Sequence, residues 1–543
     1  MTEDDTYVIK GPPPLKEIPS SSLGKIIYEK LSTEFENEAA FIDAITGKFI
    51  TYKDFFTKTC SLAISLRKLG CGQNSIVSIC SENCNEFFIP VVAALYVGAV
   101  IAPINHNYTQ LEMIHALNIS QPSLVFCSKE VLDKYLELKK KVDYIQRIIV
   151  INSNTSIKGV ECMNNFINCV QKGCILSSSL VADVNPREQV ALIMCSSGTT
   201  GLPKGVMLTH ENILTTFVHT DDPRFFNQDS GRCTLGVLPF FHSYGMVRSL
   251  NSLQKRIQII VMRKFEEEVF LKSIEKYKIT SLSLVPPLAI FLSKSLLVDK
   301  YDLSSVIEAT SGAAPLSKNI EELLSVRLKI KSVQQAYGLT ETTIRVMGMP
   351  SGEQRFGSSG KLCPYVSCKV RDPETGKSLG PNQIGELCFK GPLIMKGYYN
   401  NEEANKNTFT GNGWLLTGDL GYYDDEEYFY IVDRLKELIK YKGFQVPPAE
   451  LEALLLTHPG IKDSGVVGLP DEDVGELPLA FVAKHLNVNL TEDEVKQFVA
   501  ERVSSHKRLR GGVIFIPEIP KNPSGKILRR KLRELITTHK SKL

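Results

Sequence analysis

The chain has 543 residues, 43% of them apolar and 23% charged, and a formal net charge of +3. That length exceeds what a single hydrophobic core organises, so two or more domains are expected, and the ordinary composition excludes fibrous and disordered classes. So small a positive excess gives no footprint for nucleic acid; the basic cluster Lys526, Arg529, Arg530, Lys531 and Arg533 reads as a solvated helix face around one functional lysine.

In chain order, Tyr52 to Leu69 has the spacing of an amphipathic helix. The runs Ser75 to Ile79, Ser123 to Phe126 and Arg147 to Ile151 have the apolar, β-branched character of strands. Their alternation predicts α/β layering with parallel strands. Phe87 to Ile104 is apolar apart from Tyr96, but Pro90, Gly98 and Pro103 interrupt it. It reads as a buried helix ending near Gly98, a strand over Ala99 to Ala102 and a turn at Pro103, with no membrane span. Thirteen cysteines without a C-x-x-C pair, and an N-terminus without a basic segment and apolar core, predict reduced thiols, cytosolic synthesis and no secretory signal.

Directly after the apolar run Val190 to Met194 stands Ser196-Ser197-Gly198-Thr199-Thr200-Gly201-Leu202-Pro203-Lys204-Gly205, followed by a second strand-like run, Val206 to Leu208. Glycines let backbone N–H groups close on phosphate oxygens, hydroxyls add donors and Lys204 adds a cation, so the segment reads as a phosphate loop. It is not a Walker A loop, because Lys204 follows Pro203 and precedes Gly205 instead of being followed by Ser or Thr at a helix start. On its own it is also compatible with a plain glycine-rich hairpin.

Further motifs follow: Pro239-Phe240-Phe241-His242-Ser243-Tyr244-Gly245, Gly312-Ala313-Ala314-Pro315, Ala336-Tyr337-Gly338-Leu339-Thr340-Glu341-Thr342-Thr343 and Gly413-Trp414-Leu415-Leu416-Thr417-Gly418-Asp419. Beyond them come Asp433-Arg434-Leu435-Lys436, the stretch Lys440 to Glu450, and Pro523-Ser524-Gly525-Lys526. The change of character at Asp433 predicts an N-terminal domain over residues 1–433, a hinge at 434–436 and a small α+β lobe over 437–543.

In identity and order these segments resemble the adenylate-forming superfamily of acyl-CoA synthetases, 4-coumarate-CoA ligases, beetle luciferases and peptide-synthetase adenylation domains. The likeness covers nearly the whole chain. It is closest to insect luciferases and luciferase-like fatty acyl-CoA synthetases at Lys440 to Glu450 and at Leu509-Arg510-Gly511-Gly512-Val513. The resemblance implies an α/β fold: a large multi-subdomain N-terminal domain of layered sheets and helices plus a small mobile C-terminal lobe turning about Lys436. It implies ATP, Mg²⁺ and CoA, and a small carboxylic acid as substrate, in an acyl-CoA synthetase acting through an acyl-adenylate. A luciferase is the alternative.

By the same resemblance, Lys526 bridges carboxylate and adenylate, Thr340 contacts the α-phosphate and Glu341 holds magnesium. Tyr337 and Gly338 meet adenine, as does the wall of Gly312, Ala313 and Ala314, while Asp419 and Arg434 hold the ribose. His242 stands at the mouth of the acyl pocket. Lys440 and Gly443 serve the thioester step once the lobe has turned. The residue types suit these tasks: an aromatic face for a purine, a hard carboxylate for Mg²⁺, a cation where anions react. Read without the resemblance, Lys526 is an exposed lysine before a basic helix and Tyr337 to Glu341 a turn and helix cap. The ending Ser541-Lys542-Leu543 has the form of a peroxisomal address read by an import receptor.

The chain departs from luciferases around the acyl pocket. Thr216 stands where they carry an arginine, Ile344 and Arg345 replace a Ser-Ala pair, Arg248 replaces a small residue and Tyr244 a Phe. Two arginines beside an apolar tunnel need anionic partners. They point to solvent or pair with protein carboxylates, receive the distal carboxylate of a dicarboxylic acid, or block the pocket.

Overall fold

The computed structural model describes residues 5–33, 38–153, 160–168, 177–196, 203–226, 233–331, 333–442, 444–471, 473–486, 488–522 and 525–540. Two large sheets form the body. In the eight-stranded one, Ile76–Cys80 is flanked in parallel by Val100–Pro103 and Leu124–Cys127, with Arg147–Val150 beyond, each within a residue of the run that predicted it. These strands are continuous in their apolar residues because helices cover both faces. The helix Tyr52–Lys68 starts where Thr51 Oγ1 accepts from Asp54 N at 3.0 Å and ends on Arg67 and Lys68, the charge order a helix dipole favours.

All nine residues of the helix Phe88–Tyr96 are buried. Among the described residues no helix is long and apolar enough to cross a membrane. The turn expected at Pro103 is instead the end of a strand. Pro103 pairs with Ile79 and the next amide, Ile104 N, donates to Ile79 O at 2.8 Å, so the ladder resumes past the residue that lacks a donor.

In the nine-stranded sheet Cys233–Gly236, Ser281–Leu284, Glu308–Ser311 and Val333–Tyr337 run parallel in that order. Three sequence motifs leave the carboxyl ends of these strands: His242 after the first, Gly312 after Ser311 and Gly338 after Tyr337. The carboxyl edge of a parallel sheet is where α/β proteins bind ligands. A third, antiparallel sheet contains Gly385–Lys390, Leu415–Tyr423 and Phe429–Arg434, in which Asp419 and Arg434 are register partners.

The C-terminal sheet draws only on residues after Leu438: Ile439–Tyr441, Phe444–Val446, Ile461–Asp471, Gly475–Lys484 and Gly512–Phe515. The helices Pro448–Leu455 and Arg529–Lys540 pack on it. The architecture is thus the α/β fold the resemblance implies, with layered sheets and helices in a large N-terminal domain and a small C-terminal one.

Candidate active site

The phosphate-loop segment is a hairpin at its base. Val190–Ser196 and Lys204–Thr209 pair antiparallel, with Ser196 opposite Lys204. Ser197, Gly198, Thr199, Thr200 and Gly201 lie outside the described residues. Ser196 Oγ is buried without a hydrogen-bond partner among the described residues, and Ser196 lines the cavity that His242 and Lys526 also border. Lys204 Nζ stands 4.8 Å from the ring centre of Tyr398, whose hydroxyl donates to Glu341 Oε1 at 3.0 Å. Lys204, Glu341, Arg434 and Lys436 share the lining of a second cavity of about 220 Å³. The loop lysine Lys204, the candidate magnesium carboxylate Glu341 and the expected hinge residue Lys436 therefore face one space.

Tyr337 OH donates to Asp419 Oδ2 at 2.7 Å, and Arg434 Nε lies 3.0 Å from Asp419 Oδ1. Burial pushes the Asp419 carboxyl up, against the pull of Arg434 and Tyr337. The result is an acceptor and a forked donor fixed side by side on neighbouring strands. Lys526 reaches the same cavity from the C-terminal domain, behind Gly525, whose φ of 81° lets the chain turn against Pro287. Burial and Arg434 push its ammonium below the usual lysine range, while Glu437 and Asp419 hold it up.

His242 caps the helix Ser243–Lys255, its Nδ1 accepting from Tyr244 N at 3.4 Å. Burial pushes its imidazole down to about 4, so the ring is neutral at physiological pH. Ser243 Oγ and Thr340 Oγ1 are 3.1 Å apart, which ties the histidine motif to the Tyr-Gly-Leu-Thr-Glu motif. Gly312, Ala313, Tyr337, Gly338, Thr340 and Glu341 line this cavity of about 180 Å³, as do Tyr244, Arg248, Ile344 and Arg345 at its acyl end. Ala314 and Lys440 are not in its lining; Lys440 is exposed on the strand Ile439–Tyr441. Gly443 and the terminal Ser541-Lys542-Leu543 lie outside the described residues.

Thr216 Oγ1 donates to Thr343 O at 3.1 Å, so the residue replacing an arginine now fastens a helix to the opposite wall. Sequence reasoning missed His219, Thr220, Phe226, Asn251 and Tyr398. His219 and Asn251 carried a signal, since each follows a flagged residue, Thr216 or Arg248, by three positions on the same helix face. Tyr398 carried none, because its role depends on strand pairing across the eight-stranded sheet.

The arrangement can hold a nucleotide at one end and an acid at the other. Comparison with known proteins agrees. The AMP-binding enzyme family matches residues 29–399 and the AMP-binding enzyme C-terminal domain matches residues 450–526. The chain is 48% identical over 537 residues to a luciferin 4-monooxygenase of Nipponoluciola cruciata, covering 98% of each. It is 38% identical over 538 residues to the peroxisomal OPC-8:0-CoA ligase 1 of Arabidopsis thaliana, covering 98% of this chain and 96% of that one. Among solved structures, ATP-bound MatB of Rhodopseudomonas palustris superposes with a TM-score of 0.83 at 27% identity, covering 94% of this chain and 98% of that chain. The chain belongs to the AMP-binding enzyme family, the adenylate-forming enzymes.

Proposed function

We propose that this enzyme is an acyl-CoA synthetase that activates a carboxylic acid with MgATP and transfers the acyl group to CoA. The reading rests on one cavity lined by Lys526 and Arg434 at its nucleotide end and by Tyr244, Val247 and Ile344 at its acyl end. In the first step a carboxylate oxygen bonds to the α-phosphorus as the bond to pyrophosphate breaks, with Lys526 and Thr340 stabilising the charge that accumulates there. Tyr337 covers adenine, and Asp419 with Arg434 holds the ribose. In the second step the CoA sulfur, its proton lost, bonds to the acyl carbon and AMP leaves, with Lys440 and Gly443 brought to the site by the turned lobe.

Glu341 suits Mg²⁺. A Mg²⁺ held by Glu341 would need few other protein ligands, since the ion keeps phosphate oxygens and water in its shell. Bound there, the ion supplies charge neutralisation for the leaving pyrophosphate.

The 48% identity to a luciferin 4-monooxygenase favours a second reading, an ATP-dependent luciferase. Purified enzyme with MgATP, CoA and a panel of fatty, dicarboxylic and cinnamic acids and luciferin separates the two. CoA-dependent AMP release without light supports the ligase. Strong light with negligible thioester overturns it. The proposal extends to the peroxisome, on the terminal Ser541-Lys542-Leu543 and the peroxisomal ligase relative; a tagged chain that stays in peroxisomes without the tripeptide would refute that address.

A further inference from the structure

The acyl end of the cavity holds two arginines that no carboxylate of the described residues pairs with. Arg345 is 6% exposed, and Nε, Nη1 and Nη2 all lack a hydrogen-bond partner among the described residues. Arg248, on the helix Ser243–Lys255, has a buried Nε in the same condition. Both line the cavity. Interior cations without partners are costly, and nature keeps them where a ligand supplies the counter-charge. Of the three readings the sequence left open, solvent exposure of Arg345 is excluded by its burial.

Arg345 is also held in place. The guanidinium carbon lies 4.2 Å from the Phe226 ring centre and 5.7 Å from that of Phe225, cation–π contacts that hold the group without satisfying its N–H donors. A Cβ at Gly348 would fall 1.7 Å from Nη2, so glycine alone makes that space. The two residues before Arg345 are left-handed and β-branched, Thr343 at φ 46° and Ile344 at φ 80°. Such strain persists only where surroundings enforce it. Thr343 Oγ1 donates to Leu393 O at 2.7 Å, Ile344 N to Leu339 O at 3.0 Å, and Thr216 Oγ1 to Thr343 O at 3.1 Å.

The neighbours do not neutralise the pair. The Cys363 thiol lies against Arg345, but sulfur is a weak acceptor. His219 is neutral, its Nε2 on Pro364 O at 2.8 Å, and Asp222 is engaged by Arg224 at 2.6 Å. Glu308 feels both arginines without an ion pair to either, and its buried Oε1 has no hydrogen-bond partner among the described residues. Among the described residues two guanidinium charges therefore face at most one carboxylate, a local excess of at least one. A forked donor matches carboxylate or phosphate, and that excess suits an anionic group.

We infer that the acid substrate is an α,ω-dicarboxylic acid whose distal carboxylate is received by Arg345 and Arg248, while the reacting carboxylate lies at the Lys526 end. This rests on the proposed carboxylate activation. The test compares CoA-dependent AMP release with adipic, suberic, sebacic and dodecanedioic acids against hexanoic, octanoic, decanoic and dodecanoic acids, as kcat/KM ratios at matched length. At some length the wild type prefers the diacid. Arg345→Ala lowers that ratio by about ten- to a hundredfold, the worth of a hydrogen bond to a charged group. Gly348→Ala, which displaces the guanidinium without removing it, lowers it in the same direction.

Arg345→Lys keeps the charge, loses the fork and falls between; it gives the reading if Arg345→Ala does not fold, as judged by MgATP binding. Monoacids used in preference to diacids at every length, or a ratio indifferent to Arg345→Ala, overturn the inference while leaving the ligase standing. Light without CoA-dependent AMP release from any acid overturns the ligase reading itself.

Discussion

Three buried histidines, His219 and His242 at the cavity and His210 at the start of the helix that carries His219, are held neutral by burial, which pushes each down to about 4. For His219 the nearby Arg345 adds to that effect. Each binds its proton more weakly in the fold than in the unfolded chain, where the value is 6.5. Their stabilisation is therefore complete above the unfolded value and is lost as pH falls from there towards about 4. Glu321 and Glu452, pushed up to about 7 by burial, act in the opposite sense and weaken the fold as pH rises towards that value. His219→Gln separates one contribution from the rest, because glutamine keeps a donor for Pro364 O but does not titrate. Between about pH 5 and about pH 7 the wild type should gain roughly 2 kcal/mol more stability than the variant. Urea unfolding followed by the fluorescence of Trp414, the sole tryptophan, measures it. Equal pH dependence in the two proteins would mean that His219 is not held neutral by the fold.

At the scale of elements, what could be read from sequence was local and what could not was assembled from distant strands. The runs around Ile76, Leu124 and Arg147 declared themselves by their apolar, β-branched character and the helix from Tyr52 by its period. The hairpin under the phosphate loop was legible because two apolar runs flank one glycine-rich turn. By contrast Asp433 and Arg434, expected at a boundary and in a hinge, belong to the strand Phe429–Arg434, whose pairing with Leu415–Tyr423 sets Arg434 beside Asp419. The arginine wall was visible only as two unexplained charges. Its burial, its glycine niche at Gly348 and its left-handed approach through Thr343 and Ile344 require the return strand Met347–Gly348 beside Val333–Tyr337, which no local pattern announces. The cluster read as a solvated basic face was likewise divided by packing. Arg530 is exposed, whereas Arg529 is buried and bonded to Glu437 at 2.7 Å and to Glu452 at 2.8 Å. That network joins the hinge exit, the helix Pro448–Leu455 and the last helix, so these elements are fastened to one another within the C-terminal domain.

For the whole molecule, the consequence is that two lysines on one domain occupy different environments. Lys526 is partly buried at the cavity it shares with Arg434 and His242, whereas Lys440 is exposed on a strand and does not line it. Contacts between the domains include Lys294 Nζ on Leu456 O at 3.3 Å and Ala449 N on Asp433 Oδ2 at 2.9 Å, both polar and each the worth of about one hydrogen bond. In the proposed reaction a rotation about Lys436 exchanges such contacts, while the Arg529 network travels intact. This arrangement serves adenylation there, and the turned one serves thioester formation. Lys526→Ala should therefore lower the rate of acyl-adenylate formation by on the order of a hundred- to a thousandfold, the cost of removing a transition-state donor, and spare thioester formation from supplied acyl-adenylate. Lys440→Ala should do the reverse. Single-turnover assays of each half-reaction read the two rates separately. If each variant fails equally in both halves, one arrangement of the domains serves both steps and the division of labour between the two lysines is wrong.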